Sequence, residues 1–483
     1  MLKSLFESWA NEPCTEQMAL SANGSNRRYF RLRGSSRQCV AAINDDVREN
    51  QAFIYLSQFF ISRQLPVPEV FMVSHDGTAY LQQDLGDTTL YDFAYDKKRQ
   101  GLGFDAELVQ LYKQVLNDLI RFQTLGEGLD YKFCYPRGNF DRQSMQWDLN
   151  YFKYYFLKLA HIPFDEQLLE DDFQNFMDYL LQEDCSYFMY RDFQSRNIML
   201  QPDRSLFYID FQGGRRGAAQ YDVASLIYSA KSDIPEPIRQ ELLSHYVSNM
   251  APHLQAHGVS EADFRTRFYG YVLLRIMQAM GAYGYRGYYE RKDYFLKSIP
   301  LAVANLRRVV ESHSLPVSLP HLFSVWRAII DSPVASAYTD STSGRLMVTV
   351  NSFSYKQGLP QDLSGNGGGY VFDCRALPNP GRYPEYRCYT GRDLPVRQFL
   401  QQEPAVLQFL DHAQRLVFQS IDKYMERQFS HLMISFGCTG GQHRSVYCAE
   451  QMAERIRKAF DCDVSLHHIE QEKIKNSERG FCN

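Results

Sequence analysis

One stretch of the chain holds the residue types and spacing that phosphoryl transfer needs. Tyr190-Arg191-Asp192-Phe193-Gln194-Ser195-Arg196-Asn197 is followed by Tyr208-Ile209-Asp210-Phe211-Gln212. Moving a γ-phosphoryl group from ATP requires a carboxylate beside the attacking hydroxyl and oxygen ligands for Mg²⁺ on the phosphates. Asp192 suits the first task, orienting and deprotonating the acceptor. Asn197 and Asp210 suit the second, because hard Mg²⁺ takes oxygen ligands and keeps several waters. A single Asp-x4-Asn match carries little weight alone. A second acid closing the apolar run LFYID, and a further Tyr221-Asp222-Val223-Ala224-Ser225-Leu226, give the set coherence. Asp222 is expected to hold the catalytic loop through backbone hydrogen bonds.

Elements able to position these groups surround them in sequence. RRYFRLRG, QCVAAIN and TAYLQQDLG read as strands of a small sheet, NQAFIYLSQFF as a helix packed on it, and QLPVPEVF as a Pro-bounded connection. From about Asp105 on, amphipathic stretches such as ELVQLYKQVLNDLIRF dominate. The expected fold class is an α+β kinase-like bilobal fold, a small β lobe and a larger helical lobe, followed by a separate α/β domain. For the acceptor, Trp147-Asp148-Leu149-Asn150-Tyr151 offers aromatic faces to stack on a sugar ring and polar groups, Asp148 and Asn150, for its hydroxyls. An aromatic core helix is the alternative reading of the same residues, and YGYRGYYERK around Tyr283–Lys292 carries the same two readings.

Residues 1 to about 330 resemble the aminoglycoside phosphotransferase family, in particular its amino-sugar anomeric kinases. The resemblance runs through Ser25-Asn26-Arg27-Arg28-Tyr29-Phe30-Arg31, Pro66-Val67-Pro68-Glu69-Val70, Gln83-Asp84-Leu85-Gly86-Asp87 and the Asp192–Asp210 set. It implies phosphorylation of N-acetylmuramate or N-acetylglucosamine at the 1-hydroxyl, with ATP and Mg²⁺. Asp192 would be the base and Asn197 and Asp210 the metal ligands. Ser25, Asn26, Arg27 and Arg28 would lie over the phosphates, and Gln83, Asp84 and Leu85 would form the inter-lobe hinge that takes the nucleotide. Two departures stand out. Tyr190 occupies the place of the usual loop His, and Val40-Ala41-Ala42-Ile43-Asn44 lacks the strand Lys, whose charge Arg27 or Arg28 would supply, with Glu49 as a partner.

The tail carries a second constellation. Leu432–Phe436 reads as a buried strand running into Gly437-Cys438-Thr439-Gly440-Gly441-Gln442-His443-Arg444-Ser445, with a helix after it. A Gly-bearing strand-to-helix turn aims backbone N–H groups at one point, which suits a phosphate. Cys438-x5-Arg444-Ser445 also has the spacing of phosphatase loops, without the usual preceding His or an evident general acid. Residues 344–483 resemble the C-terminal domain of the RapZ family of RNase adaptors, through Ser352–Pro360, Val371–Pro380, Tyr389–Asp393 and the Gly437–Ser445 loop. The resemblance implies a site for a phosphorylated amino sugar built from Asp373, Arg375, Asn379, Cys438, Thr439, Gly440, Gly441, His443 and Arg444. Members of that family also bind RNA, yet no GxxxxGK[ST] loop of their ATPase domain occurs here.

The expected domains are 1–330, a linker at 331–343 (DSPVASAYTDSTS) and 344–483. Basic and acidic residues number 35 and 41 before position 344, then 17 and 15 after it, giving −6 and +2. The net −4 argues against a chain coated for nucleic acid. Apolar residues at 45% and charged residues at 22% are ordinary for a folded globular chain. No apolar run is long enough to span a bilayer, no signal peptide is read at the start, and ten scattered cysteines point to free thiols, so a cytoplasmic location without membrane partners is expected. GNGGG at Gly365–Gly369 reads as a flexible loop, most of the 33 Tyr and 33 Phe as packing, and the oligomeric state stays open. The competing class is a non-catalytic RNA-binding adaptor with a degenerate kinase-like domain.

Overall fold

The computed structural model describes residues 1–20, 27–124, 128–335, 345–360, 362, 369–427 and 429–472. The chain folds as two units: Met1–Gly284 with Leu301–Ser332, and Tyr285–Pro300 with the chain from Pro333 on. Residues 285–300, expected in the first domain, therefore group with the second unit. In the expected linker, Asp331 closes a helix over Pro320–Asp331 and Pro333–Ala335 forms a 3-10 turn; 336–343 lie outside the described residues.

The first unit opens with helix α1 (Leu2–Ala10) and a five-stranded antiparallel sheet: β1 (Glu16–Leu20), β2 (Arg28–Arg33), β3 (Gln38–Ile43), β4 (Val70–Val73) and β5 (Ala79–Gln82), in the order β1-β2-β3-β5-β4. The central strand β3 is buried from Cys39 to Ala42, which its apolar run CVAA allows. Helix α2 (Val47–Ser62) follows, capped by Asp46, whose side chain accepts the Glu49 N–H at 3.2 Å. Three of these elements go beyond what the sequence pattern predicts. Helix α1 and strand β1 are unannounced by it, and QLPVPEVF, expected as a connection, ends in edge strand β4. Pro66 and Pro68 precede the ladder rather than interrupt it, which is how an edge strand tolerates proline.

The helical part contains α3 (Leu90–Arg99), α4 (Ala106–Thr124), α5 (Arg142–Phe152), α6 (Glu166–Leu180), α7 (Gln220–Ile227), α8 (Glu236–Ala256) and α9 (Glu261–Gly284), with helices over Ile299–Ser312 and Pro320–Asp331 later in the chain. Two short antiparallel ladders lie among them: β6 (Tyr187–Met189) with β9 (Arg215–Gly217), and β7 (Ile198–Leu200) with β8 (Leu206–Tyr208). The loop that carries Asp192 and Asn197 joins β6 to β7, and Asp210 follows β8. Helix α9 approaches the chain after α5 so closely that a Cβ on Gly284 would clash with the Tyr155 carbonyl oxygen. Aromatic rings fill the centre. Phe211 stacks on Phe53 of α2 at 4.9 Å and meets Phe60 edge-on at 5.5 Å, so the residue after Asp210 is anchored under the sheet lobe. Among the described residues no helix is long and apolar enough to cross a membrane.

The second unit is built on a four-stranded parallel sheet of β10 (Met347–Ser354), β11 (Gly369–Asp373), β12 (His431–Cys438) and β13 (Asp463–His468), in the order β11-β12-β10-β13. Leu432–Cys438 is buried throughout, as parallel strands covered on both faces require. Helices over Pro404–Glu426 and Arg444–Ala459 pack on it. Gly369 opens β11; Gly365–Gly368 lie outside the described residues.

Candidate active site and anion loop

Asp192, Asn197 and Asp210 come together at the ends of the two short ladders. Asn197 Nδ2 donates to the Asp192 carbonyl at 2.8 Å and to Asp210 Oδ2 at 3.2 Å. The Ile209 N–H donates to the Asn197 carbonyl at 3.0 Å, which ties the two segments through the backbone. Gln212 Nε2 donates to Asp210 Oδ1 at 2.7 Å. Burial, and then the neighbouring Asp192 charge, push the Asp210 carboxyl above its ordinary value. Arg191 and Asp210 both adopt left-handed backbone, with φ of 82° and 68°, a conformation that costs a non-glycine residue about 1–3 kcal/mol and gathers at functional sites.

The loop is supported from below by Asp222. Its carboxylate accepts the Tyr190 N–H at 2.7 Å and the Arg191 N–H at 2.9 Å, the backbone role expected of it. Tyr190, standing where His is usual, donates its hydroxyl to the Ile209 carbonyl at 2.6 Å and so braces both segments. Burial pushes the Asp222 carboxyl up to about 7 against the pull of those two N–H groups. This folded value lies above the ordinary 3.8, so the stability it contributes is complete below about pH 4 and is lost as pH rises through 7. Urea unfolding at pH 5 and pH 8 should show a larger loss of stability in the wild type than in Asp222→Asn. Equal losses would contradict the assignment.

The structure gives Asp148 a different partner from the sugar hydroxyl expected. Both its oxygens are taken by Arg191, whose Nη1 and Nη2 donate at 2.8 and 2.6 Å, and Nη1 also reaches the Tyr221 hydroxyl at 2.7 Å. The pair is nearly buried, at 14% and 10% side-chain exposure. Asp148 faces inward because α5 presents Ser144, Met145, Asp148, Leu149 and Phe152 to the interior. Trp147 remains 46% exposed under the Arg137 guanidinium, Asn150 accepts from Gln146 at 3.1 Å, and Tyr151 meets Tyr155 edge-on.

Among the residues expected to take the nucleotide, Arg27 is buried and its Nη2 lies 3.1 Å from Glu49 Oε1 of α2, while Asn44 holds the other Glu49 oxygen at 2.8 Å. An arginine at the head of β2 thus pairs with the helix glutamate where the strand lysine is missing. Arg28 is exposed, and Ser25 and Asn26 lie outside the described residues. At the expected hinge, the Asp84 carboxylate is held by Arg31, which donates to its two oxygens at 2.6 and 3.0 Å and also binds Asp87. Gln83 is half-buried, its N–H donating to the Glu69 carbonyl at 2.8 Å, and the Leu85 carbonyl accepts from Gln201 Nε2 at 2.7 Å.

In the second unit, the Gly437–Ser445 loop lies at the C-terminal end of β12, the edge at which parallel sheets bind ligands. Gly441 takes a φ of 67°, and the helix Arg444–Ala459 starts shortly after it. Thr439 and Gly440 are exposed at the tip. The Cys438 Sγ and Ser445 Oγ are 3.1 Å apart. Burial pushes this thiol up, but the Ser445 hydroxyl, the Ser445 and Gly441 N–H groups and Arg444 outweigh it, leaving the thiol below its ordinary value. Arg444, expected to add a donor for an anion, is instead 6% exposed and turned inward, its Nη1 donating to the Arg375 and Leu377 carbonyls at 2.7 and 3.0 Å. His443 Nε2 lies 3.0 Å from the Tyr386 carbonyl. Asp373 pairs with Arg375 at 2.7 Å, and Asn379 Oδ1 accepts the Gly381 N–H at 3.2 Å. Gln442, which the sequence pattern does not single out, donates to the Arg387 and Tyr389 carbonyls and holds the loop against that segment.

Comparison with known proteins agrees with this division. Residues 16–256 match the model of the phosphotransferase enzyme family, and residues 346–472 that of the RapZ C-terminal domain. A nucleotide-binding protein of Alkalilimnicola ehrlichii is 40% identical over 127 residues, 26% of this chain and 42% of its own length. One from Laribacter hongkongensis is 41% identical over 130 residues, 27% of this chain and 45% of its own. The chain thus spans less than half the length of these curated relatives. Among solved structures, a Plasmodium vivax ethanolamine kinase superposes with a TM-score of 0.44 at 12% identity, covering 61% of this chain and 82% of that one. The choline kinase LicA from Streptococcus pneumoniae gives 0.41 at 15%, covering 64% and 98%.

Proposed function

Because this chain joins a phosphotransferase-family domain to a RapZ C-terminal domain, we propose that it is an ATP- and Mg²⁺-dependent kinase of an amino-sugar hydroxyl. The acceptor in this reading is the 1-hydroxyl of N-acetylmuramate or N-acetylglucosamine, in the recycling of cell-wall amino sugars. The observation that carries it is the convergence of Asp192, Asn197 and Asp210, with the Asn197 amide bridging the other two residues.

In this mechanism Asp192 orients the acceptor hydroxyl and accepts its proton. Its carboxylate is 46% exposed, so an acceptor can reach it. Asp210 and the side-chain oxygen of Asn197 fit a hard divalent cation, and burial beside Asp192 penalises the ionised Asp210 carboxylate, a penalty that a bound cation would offset. Bound there, Mg²⁺ would neutralise charge on the β- and γ-phosphates. Arg27, held by Glu49, supplies positive charge on the nucleotide side. Asp222 and Tyr190 keep the loop in its left-handed turn and so hold Asp192 in place.

The second unit, in this reading, binds a phosphorylated amino sugar as a sensor. Support comes from the exposed tip at Thr439 and Gly440 and from the helix that starts behind it. The adaptor alternative is disfavoured because the three polar residues of the first site are all present and in contact. The test is ATP consumption with Mg²⁺ over N-acetylmuramate, N-acetylglucosamine, glucosamine, galactosamine and an aminoglycoside. Turnover on an N-acetylated amino sugar supports the reading; turnover on the aminoglycoside alone contradicts it.

A further inference from the structure

Three arginines, Arg191, Arg215 and Arg275, lie within electrostatic reach of Asp192. Arg275 of α9 is 8% exposed. Two corners of its guanidinium are braced: Nε donates to Ser225 Oγ at 3.0 Å and Nη1 donates to Gln278. The third corner, Nη2, is 3.5 Å from Asp192 Oδ1, too long for a hydrogen bond of ordinary strength. Arg191 is matched by Asp148. Arg215 is buried nearby, its Nε donates to the Gly213 carbonyl, and burial together with the Arg191 charge push its guanidinium down to about 10. Asp222 is held by the Tyr190 and Arg191 N–H groups and Asp210 by Asn197 and Gln212, so among the described residues the one carboxylate within ion-pair distance of Arg275 is Asp192 itself.

A buried cation without a full counter-charge is costly to hold, and the cost is offset when a ligand brings the missing anion. A cationic acceptor, such as an amine-bearing antibiotic or a quaternary ammonium alcohol, would meet repulsion here. We propose that Arg275 is a specificity-determining residue whose Nη2 binds an anionic substituent, a carboxylate or a phosphate, on the acceptor beside the hydroxyl that Asp192 activates. This inference rests on the reading of Asp192 as the base and adds a charge class for the acceptor.

The experiment is calorimetric titration of the full chain, loaded with Mg²⁺ and a non-hydrolysable ATP analogue. The probes are one neutral sugar, N-acetylglucosamine, and two anionic relatives, N-acetylmuramate (carboxylate) and N-acetylglucosamine 6-phosphate (phosphate). A hydrogen bond to a charged group is worth about 10- to 100-fold in affinity, so at least one anionic sugar should bind about tenfold or more tighter than the neutral one. Which of the two does so identifies the anion. Arg275→Gln should collapse that ratio to near one, and Arg275→Lys should restore part of it; the Lys variant decides if the Gln variant does not fold. Equal affinity for neutral and anionic sugars, no binding of either anion, or a ratio unchanged in both variants would overturn the proposal. Turnover of N-acetylglucosamine without an anion preference would do so while leaving the phosphotransferase reading intact. Anion binding without turnover on any sugar would instead count against that reading and leave the role of Arg275 standing.

Discussion

Asp192→Asn is expected to lower phosphoryl transfer by about 10²- to 10⁴-fold, the usual contribution of a positioned general base. ATP binding should persist, because the proposed role of Asp192 is toward the acceptor hydroxyl and not the nucleotide. Its carboxylate is 46% exposed, and its one ion-pair contact among the described residues is the 3.5 Å approach of Arg275. The substitution therefore removes an acceptor for the substrate proton without emptying a packed site. Asn retains the shape and can still accept a hydrogen bond from the hydroxyl, but it cannot take the proton. ADP release in a coupled assay, run beside calorimetric ATP titration, separates the two effects. Full turnover in the variant would remove Asp192 from the mechanism; loss of ATP binding along with turnover would show that the substitution acts on the fold.

The second large effect is expected at Asp148 and Arg191. Breaking a buried ion pair by removing one partner leaves an uncompensated charge and costs about 3–5 kcal/mol. The pair has bidentate geometry at 2.6 and 2.8 Å and little exposure, which sets it apart from the surface pairs elsewhere in the chain, each worth about 0–1 kcal/mol. Asp148→Asn should therefore lower unfolding free energy by about 3–5 kcal/mol in urea titration. Turnover should fall as well, since Arg191 sits in left-handed backbone immediately before the base and loses the tie that holds it there. Arg191→Met should cost a similar amount, and the double variant much less than the sum, because the charge left behind is removed. Strictly additive losses would show that the two residues act separately.

The proposed set of Asp192, Asn197 and Asp210 is legible in the sequence because its chemistry is written locally. Asp192 and Asn197 share the loop between β6 and β7, and Asp210 follows β8 only 13 residues after Asn197, so the short spacing points to their meeting. Asp222 is legible for the same reason, as an acid within an apolar segment shortly after the loop. The role of Asp148 is not, because its partner, Arg191, lies 43 residues away in sequence. Only the packing of α5 shows that this aspartate points inward while Trp147 points out. Arg275 leaves no signal, since a single arginine in an amphipathic helix reads as a solvated face until its burial against Ser225 is seen.

In the sheet lobe, β2 and β3 follow from their aromatic and apolar content and α2 from its helical pattern. Strand β1 does not, because EQMAL is exposed along nearly its whole length and lacks the alternation of a half-buried strand. The Arg27–Glu49 pair is among the readings that the residues leave open, and the fold brings it together at 3.1 Å. In the second unit, the strand–turn–helix is plain from LMISFGCTGG. The inward turn of Arg444 is not, since its acceptors are backbone carbonyls at Arg375 and Leu377, which no residue type announces.

The measurement that tests the central claim most directly is phosphorus NMR of the full chain with ATP, Mg²⁺ and either N-acetylmuramate or N-acetylglucosamine. The account predicts that the γ-phosphate signal is replaced by a sugar-phosphate resonance coupled to the anomeric proton, and that Asp192→Asn suppresses it. Release of inorganic phosphate alone, or an unchanged ATP spectrum with both sugars, would contradict it.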